Sequence, residues 1–393
     1  MNGDGKVKII AYYLPQFHNI PENDEWWGNG FTEWTNVKKA RPLFEGHHQP
    51  RAPLNGNYYN LLDDDVKLWQ AKLAKKYGIY GFCYYHYWFN GKMLLEKPME
   101  QMLNNIAIDI PFCISWANEA WTKAWVGEDR VTLIAQRYGD EEEWRQHFYY
   151  LLPFFKDDRY IRKDGKPLFI FYRPDIVPCI REMTGLWDLL AKENGLAGIT
   201  FAYQSGEMDW NNSKEADLFD YDIEFQPPYA SHFLYSNDGK VVSALKKARR
   251  LLIGWAGRRF GIDLMRYGTD TFKKMTGQTV VSYDEYWQQI LHQKPIRNNS
   301  IPGAFVRWDN TPRKGDRGQV NVGTPEKFRR YLSQQIQHAR DDYQEVYKKD
   351  MLFFTAWNEW AEGGYLEPDE EYGYDYLKAV RDALIENHEF PEY

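Results

Sequence analysis

A closed (β/α)8 barrel is the fold class this sequence predicts, and three features predict it. Eight short apolar runs bounded by turn residues recur along the 393 residues. They are near-continuous rather than strictly alternating, as strands buried on both faces should be. Segments with helical spacing and their own start and stop signals lie between them. Polar and aromatic residues gather at the same end of every run, where a barrel enzyme keeps its site. One long doubly wound sheet is the weaker alternative.

In chain order the expected strands are residues 8–14, 79–87, 111–118, 167–173, 198–204, 221–226, 303–308 and 352–357. Between the first two, Asp63-Asp64-Asp65 opens a helix that carries Val66, Trp69 and Leu73 on one face. Lys75 and Lys76 fall in its last turn and Gly78 ends it, which suits the helix dipole and a C-terminal stop. Thr324-Pro325-Glu326 is a second start, with proline where its missing N–H costs nothing. Residues 140–154, 177–194 and 374–387 supply further helices. The connections 15–78 and 227–302 are long, and long connections in barrels carry binding function or extra helices.

At 43% hydrophobic content the chain can bury a large core, and no linker or repeat divides it. One catalytic domain over residues 1–393 is expected, with a basic insertion at about 230–300. A net charge of -7 offers no global attraction for nucleic acid. Cys83, Cys113 and Cys179 lie far apart and read as buried small hydrophobes. The first residues run into a strand without a basic leader or apolar h-region, and no apolar stretch reaches transmembrane length, so a cytoplasmic location is expected.

Aromatic residues make up 17% of the chain, and many sit beside Asn, Glu, His and Arg. A pyranose has an apolar C–H face for stacking and a rim of hydroxyls that need partners, so this mixture suits sugars. The strand-end residues expected to touch such a substrate are Tyr12, Gln16 and His18, with Trp34 beyond them, after the first run. Tyr85, His86 and Trp88 end the second, and Trp116, Asn118 and Glu119 the third. Tyr172 and Arg173, then Tyr203, then Glu224 end the next three. Trp308 and Asp309 follow the seventh, and Trp357, Asn358 and Trp360 the eighth.

Glu359 and Glu362 are the candidate catalytic pair. Glycosidic cleavage usually needs one protonated and one ionised carboxyl, and close carboxylates resist ionising together. Three residues apart, they would point to opposite sides of a strand, but a break at Ala361 and Gly363 would turn both toward one cleft. Adjacent His47 and His48 are weak evidence for a metal without an HExxH helix, so neither metal nor cofactor is expected.

Four segments carry a resemblance. They are AYYLPQFHNIPENDEWWGNGFTEW (11–34), GFCYYHYWF (81–89), SWANEAWT (115–122) and TAWNEWAEGGYLEP (355–368). Together they resemble the glycoside hydrolase family 99-like proteins, in particular the WbsX-type proteins encoded among lipopolysaccharide and capsular polysaccharide genes. The resemblance implies a barrel and, as in the hydrolases, retaining endo-cleavage of α-mannosides. It further implies that Glu359 deprotonates the sugar 2-hydroxyl to form a 1,2-anhydro sugar, with Glu362 as general acid and then base. Ala361 departs from the hydrolases, which tend to carry a larger polar residue there.

Between Lys240 and Lys274 ten Lys or Arg face two acids, interleaved with Leu251, Leu252, Ile253, Trp255 and Phe260. Such a segment fits peripheral contact with anionic lipid, and so a lipid-linked glycan, as well as it fits a solvated excursion. The expected partner is therefore a carbohydrate polymer or lipid-linked glycan. A glycosyltransferase of surface polysaccharide assembly and a non-catalytic glycan-binding barrel remain as alternatives, although no Gly-rich nucleotide loop or strand-end DxD site is present.

Overall fold

The computed structural model describes residues 6–123, 131–206, 214–234, 280–343 and 350–391. The basic stretch between Lys240 and Lys274 lies outside them. Nine parallel strands form the barrel. They are β1 (Lys8–Tyr13), β2 (Ile79–Phe89), β3 (Phe112–Trp116), β4 (Lys166–Phe171), β5 (Thr200–Ser205), β6 (Tyr221–Glu224), β7 (Ser300–Ile301), β8 (Gly303–Phe305) and β9 (Met351–Thr355).

Strands β1 to β7 pair in chain order, β8 pairs with β9, and β9 pairs with β1. That adjacency of first and last strands excludes the doubly wound alternative. Each of the eight expected runs contains a barrel strand, and the ninth, Ser300–Ile301, was not expected: it lies just ahead of the seventh run, set apart from it by Pro302. Proline has no N–H for a ladder. Ser300 and Ile301 therefore pair with Asp222 and Ile223 on one side, while Gly303 to Phe305 pair with Phe353 to Thr355 on the other. Pro302 still contributes its carbonyl, which accepts from the Phe353 N–H at 3.1 Å. The seam is narrow: a Cβ at Gly303 would collide with the Glu224 carbonyl oxygen.

The helices form the outer layer where their start signals place them. Asp63 accepts from the Asp65 N–H at the head of Asp64–Lys76. Asp140 and Glu143 cap Glu141–Lys156 reciprocally. Thr324 Oγ1 accepts from the Lys327 N–H at the start of Pro325–Asp342. No described helix is long and apolar enough to cross a membrane.

Side chains alternate across each strand, and the alternation decides what faces the site. Tyr12 stacks on Tyr85 at 5.6 Å inside the barrel, with Phe225 and Phe353 against it. Tyr13, one residue on, turns outward and donates to Gln70 of the helix layer at 2.6 Å. Cys83 and Cys113 are register partners on β2 and β3, both free and buried.

Gly303→Ala is expected to destabilise the fold by about 1–3 kcal/mol, because the neighbour it meets is backbone and cannot step aside. Gly185→Ala, in the helix Ile180–Glu193 with open space at its Cβ, should be neutral or stabilising by about 1 kcal/mol. Thermal unfolding of the two variants against the parent checks both signs.

Candidate active site

Past β9 the chain forms a small hairpin. Asn358–Glu359 pairs antiparallel with Gly364–Tyr365 around a 3-10 turn at Trp360–Glu362. Three residues per turn eclipses positions i and i+3, so Glu359 and Glu362 come to the same side. Gly363 closes the turn at φ 66°, and a Cβ there would press on Asp309 at 2.9 Å. Asn358 locks the hairpin to β1: its Oδ1 accepts from the Leu14 N–H at 2.8 Å and its Nδ2 donates to the Leu14 carbonyl at 3.0 Å.

Both carboxylates converge on one guanidinium. Arg313 lies 3.2 Å from Glu359 and 3.0 Å from Glu362, and a third carboxylate, Glu33, approaches it at 3.1 Å. The Arg313 side chain is only 4% exposed. Burial works against its charge, but the three carboxylates hold it firmly protonated. Burial raises the Glu359 carboxyl, Arg313 opposes, and the like charges of Glu362 and Glu33 add to the rise, leaving it at about 8.

Glu33 reaches this point from the β1–β2 connection. It begins the helix Glu33–Lys39, its N–H donating to the Gln16 carbonyl, with Lys38 and Lys39 in the last turn. Gln16 ties the floor together, donating to Tyr87 at 2.8 Å and accepting from Arg313 at 3.4 Å. A cleft opens above Gln16, Glu33 and Arg313, walled by Trp27, Phe31 and Trp121 and edged by Asn23 and Asn36. Charged floor, flat rings and amide groups are the combination a pyranose needs.

The strand-end candidates separate by face. Tyr12, Tyr85 and Tyr172 converge at the barrel's open end, where Phe225 meets both Tyr12 and Tyr172. His86, Trp88 and Trp116 turn to the helix layer. There His86 contacts His147 at 2.8 Å, His147 stacks on Trp88, and the Trp116 indole donates to the Trp88 carbonyl. Burial lowers His86 to about 3, so it stays neutral. Tyr203 likewise packs outward on Phe219, and Trp357 on Phe82.

Other candidates hold the framework. Asn118 clamps the Arg173 backbone at both N–H and carbonyl, and Arg173 pairs with Asp175 at 2.9 Å and Glu119 at 3.9 Å. Asp309 accepts from Gln49 at 2.8 Å and Thr311 Oγ1 at 2.6 Å and meets His47 at 3.0 Å. Burial would raise it, but these partners and Arg51 hold it at about 2. Trp34 and Trp360 pack together, and the Trp360 indole donates to buried Glu367 at 2.7 Å. Glu224 accepts from Tyr343 at 2.7 Å, and burial raises it well above the ordinary range. His18 lines a separate hollow with Tyr58 and Lys38, and burial lowers it to about 4. Trp308 is half-buried beside Gly364.

Arg313, Glu33, Trp27, Phe31, Trp121, Asn23 and Asn36 escaped the reading by strand ends, because all lie in connections. A signal existed for Arg313. Thr311-Pro312 has the same helix-start form as Thr324-Pro325, and a short helix, Thr311–Lys314, does begin there. Glu33 lines the cleft, whereas its neighbour Trp34, the residue the sequence suggests, is turned into the core by the helix. Among the described residues no group of three or more His, Cys, Asp or Glu could hold a metal ion.

Comparisons with known proteins agree with this architecture. The structure resembles the GH99 endo-alpha-mannosidase from Bacteroides thetaiotaomicron, with a TM-score of 0.51 at 12% identity over 96% of each chain. The same enzyme in complex with bis-tris-propane gives 0.54 at 13% identity, over 97% of this chain and 96% of that one. A structure described as a glycoside hydrolase-like protein gives 0.53 at 11% identity, over 100% and 96%. At such identities the likeness establishes the fold alone, the barrel described above.

Two curated relatives, each an uncharacterized protein WxcX of a Xanthomonas campestris strain, are 35% identical over 382 residues. These cover 96% of this chain and 49% of the relatives, so the chain spans about half their length. The family model described as Glycosyltransferase WbsX matches residues 9–380. With its sequence matched almost from end to end, the chain belongs to the WbsX family.

Proposed function

We propose that this protein is a retaining, endo-acting glycoside hydrolase on an α-linked, mannose-like surface polysaccharide or glycan. The observation that carries the proposal is the convergence of Glu359 and Glu362 on one buried guanidinium, that of Arg313, which itself lines an aromatic-walled cleft. The solved hydrolases with this fold, and the family's name, support a glycan as the substrate.

Glu359 takes the proton of the sugar 2-hydroxyl. The oxygen so released attacks C1, the glycosidic bond breaks, and Glu362 gives its proton to the departing oxygen. Water then adds to C1 of the 1,2-anhydro sugar and returns a proton to Glu362, while Glu359 restores the proton to O2. A sugar hydroxyl is a weak acid, so the step needs a stronger base than an ordinary carboxylate. A carboxyl raised to about 8 is such a base, at the cost of being mostly protonated at neutral pH.

A second reading, glycosyl transfer, is favoured by the family's description. The same two carboxylates would serve it, with an acceptor hydroxyl in place of water. Incubation with α-linked mannans, rhamnans and bacterial surface polysaccharides separates the two, reading reducing ends and product anomers. Release of retained-anomer oligosaccharides is expected. Product that forms only when a nucleotide-sugar donor is added would assign the transferase instead.

Glu359→Gln and Glu362→Gln should each lower turnover by at least about 100-fold while leaving glycan binding in place. The mechanism needs Glu359 ionised while Glu362 holds a proton, so the pair must keep one proton between them and turnover should fall as pH rises through about 8, where that proton is given up; a rise over that range would show that Glu362 is not the proton donor.

Folding has the opposite sign. The folded chain keeps a proton on Glu359 up to about 8, whereas the unfolded chain releases it near 4.5. Stability is therefore full below the lower value and falls as pH rises through the upper one. Glu359→Gln should remove that share of the decline, raising the melting temperature by a few degrees above pH 8 and little at pH 5. The decline due to Glu367, raised by burial to about 7, should remain in the variant.

A further inference from the structure

The three carboxylates do not share Arg313 equally. Glu33 Oε2 meets the Nε and Nη2 edge of the guanidinium, at 3.2 Å and 3.1 Å. Glu362 takes Nη1 at 3.0 Å. Glu359 is left with Nη2 alone, at 3.2 Å and 3.5 Å to its two oxygens, and shares that nitrogen with Glu33. Glu33 is also fixed from behind, by its N–H on Gln16 and by Asn36 Nδ2 at 3.4 Å. It is thus a buried carboxylate held by Arg313, Asn36 and Gln16, all within the cluster's framework.

The electrostatic consequence follows from counting charges. One guanidinium beside two carboxylates could hold both ionised at a net charge of about -1. A third carboxylate at the same guanidinium takes the fully ionised cluster to about -2 in a site that water scarcely enters, and retaining one proton relieves this. The groups that face Glu359 are Arg313, Glu362 and Glu33, with Tyr87 kept neutral by burial.

Resting on the catalytic reading above, we infer that Glu33 and Arg313 are positioning residues for the acid–base pair. Arg313 holds Glu359 and Glu362 side by side, and Glu33 draws off enough of its charge that the cluster keeps one proton, stored on Glu359. Glu33 gives and takes no proton in any step. Its negative charge makes Glu359 a stronger base than Arg313 alone would permit.

The test is an infrared pH titration of the substrate-free protein, in which the band lost in Glu359→Gln identifies the Glu359 carboxyl. Glu33→Gln preserves shape and hydrogen bonding but removes the charge. It is expected to lower the Glu359 midpoint by on the order of one pH unit, leaving Glu359 about tenfold more ionised relative to its acid form on the basic side. In turnover, the falling limb of the pH profile should move down by the same amount. Glu33→Asp restores the charge and should return the midpoint to within about half a unit of the parent.

An unmoved midpoint in Glu33→Gln, with circular dichroism unchanged, overturns the inference. So does Glu33→Asp behaving as Glu33→Gln, since charge would then not be the agent. Neither result depends on activity. The catalytic reading has its own separate failure, full turnover in Glu359→Gln.

Discussion

Burying the Arg313 guanidinium is costly unless charged partners surround it, and those partners come from segments far apart in the chain. Glu33 arrives from the β1–β2 connection, Arg313 from the loop after β8, and Glu359 and Glu362 from the hairpin after β9. The cluster can form only when β1, β8 and β9 are neighbours, as barrel closure makes them. Removing Arg313 would leave buried carboxylates without their counter-charge, so the site and the closure of this side of the barrel depend on each other.

The same mutual support recurs around the cluster. Asn358 fastens the catalytic hairpin to the backbone of Leu14, while Asp309 gathers Gln49, His47 and Thr311 beside it. Arg307, on the other side, lies buried between the rings of Tyr365 and Tyr376 and pairs with Asp369. Asn358 and Asp309 spend their hydrogen bonds on holding loops. A rigid frame suits a site in which two carboxylates must keep a fixed relation to one sugar ring.

Strand ends proved to be an incomplete guide to the cleft. Along β2, Tyr85 and Tyr87 face inward, while His86 and Trp88 between and beyond them enter the helix layer. A polar residue at a strand end is as legible in the outward phase as in the inward one, because polarity alone does not record direction. His86 and His147 show why: enclosed by Trp88, Trp116 and Trp187, both are held neutral by burial.

Sequence alone determined the barrel, the order of its strands, the helix starts at Asp63, Asp140 and Thr324, and the segment that carries Glu359 and Glu362. Those features are local: apolar runs, capping residues and a break at Gly363 act over a few residues and leave their mark in composition and spacing. Tertiary structure decided which strand-end residues face the cleft, that a ninth strand pairs ahead of Pro302, and that Glu33 and Arg313 join the carboxylate pair. These depend on register and on contacts across some 280 residues of chain, which no local pattern encodes. Charge pairing over such a separation exists only after the barrel has closed.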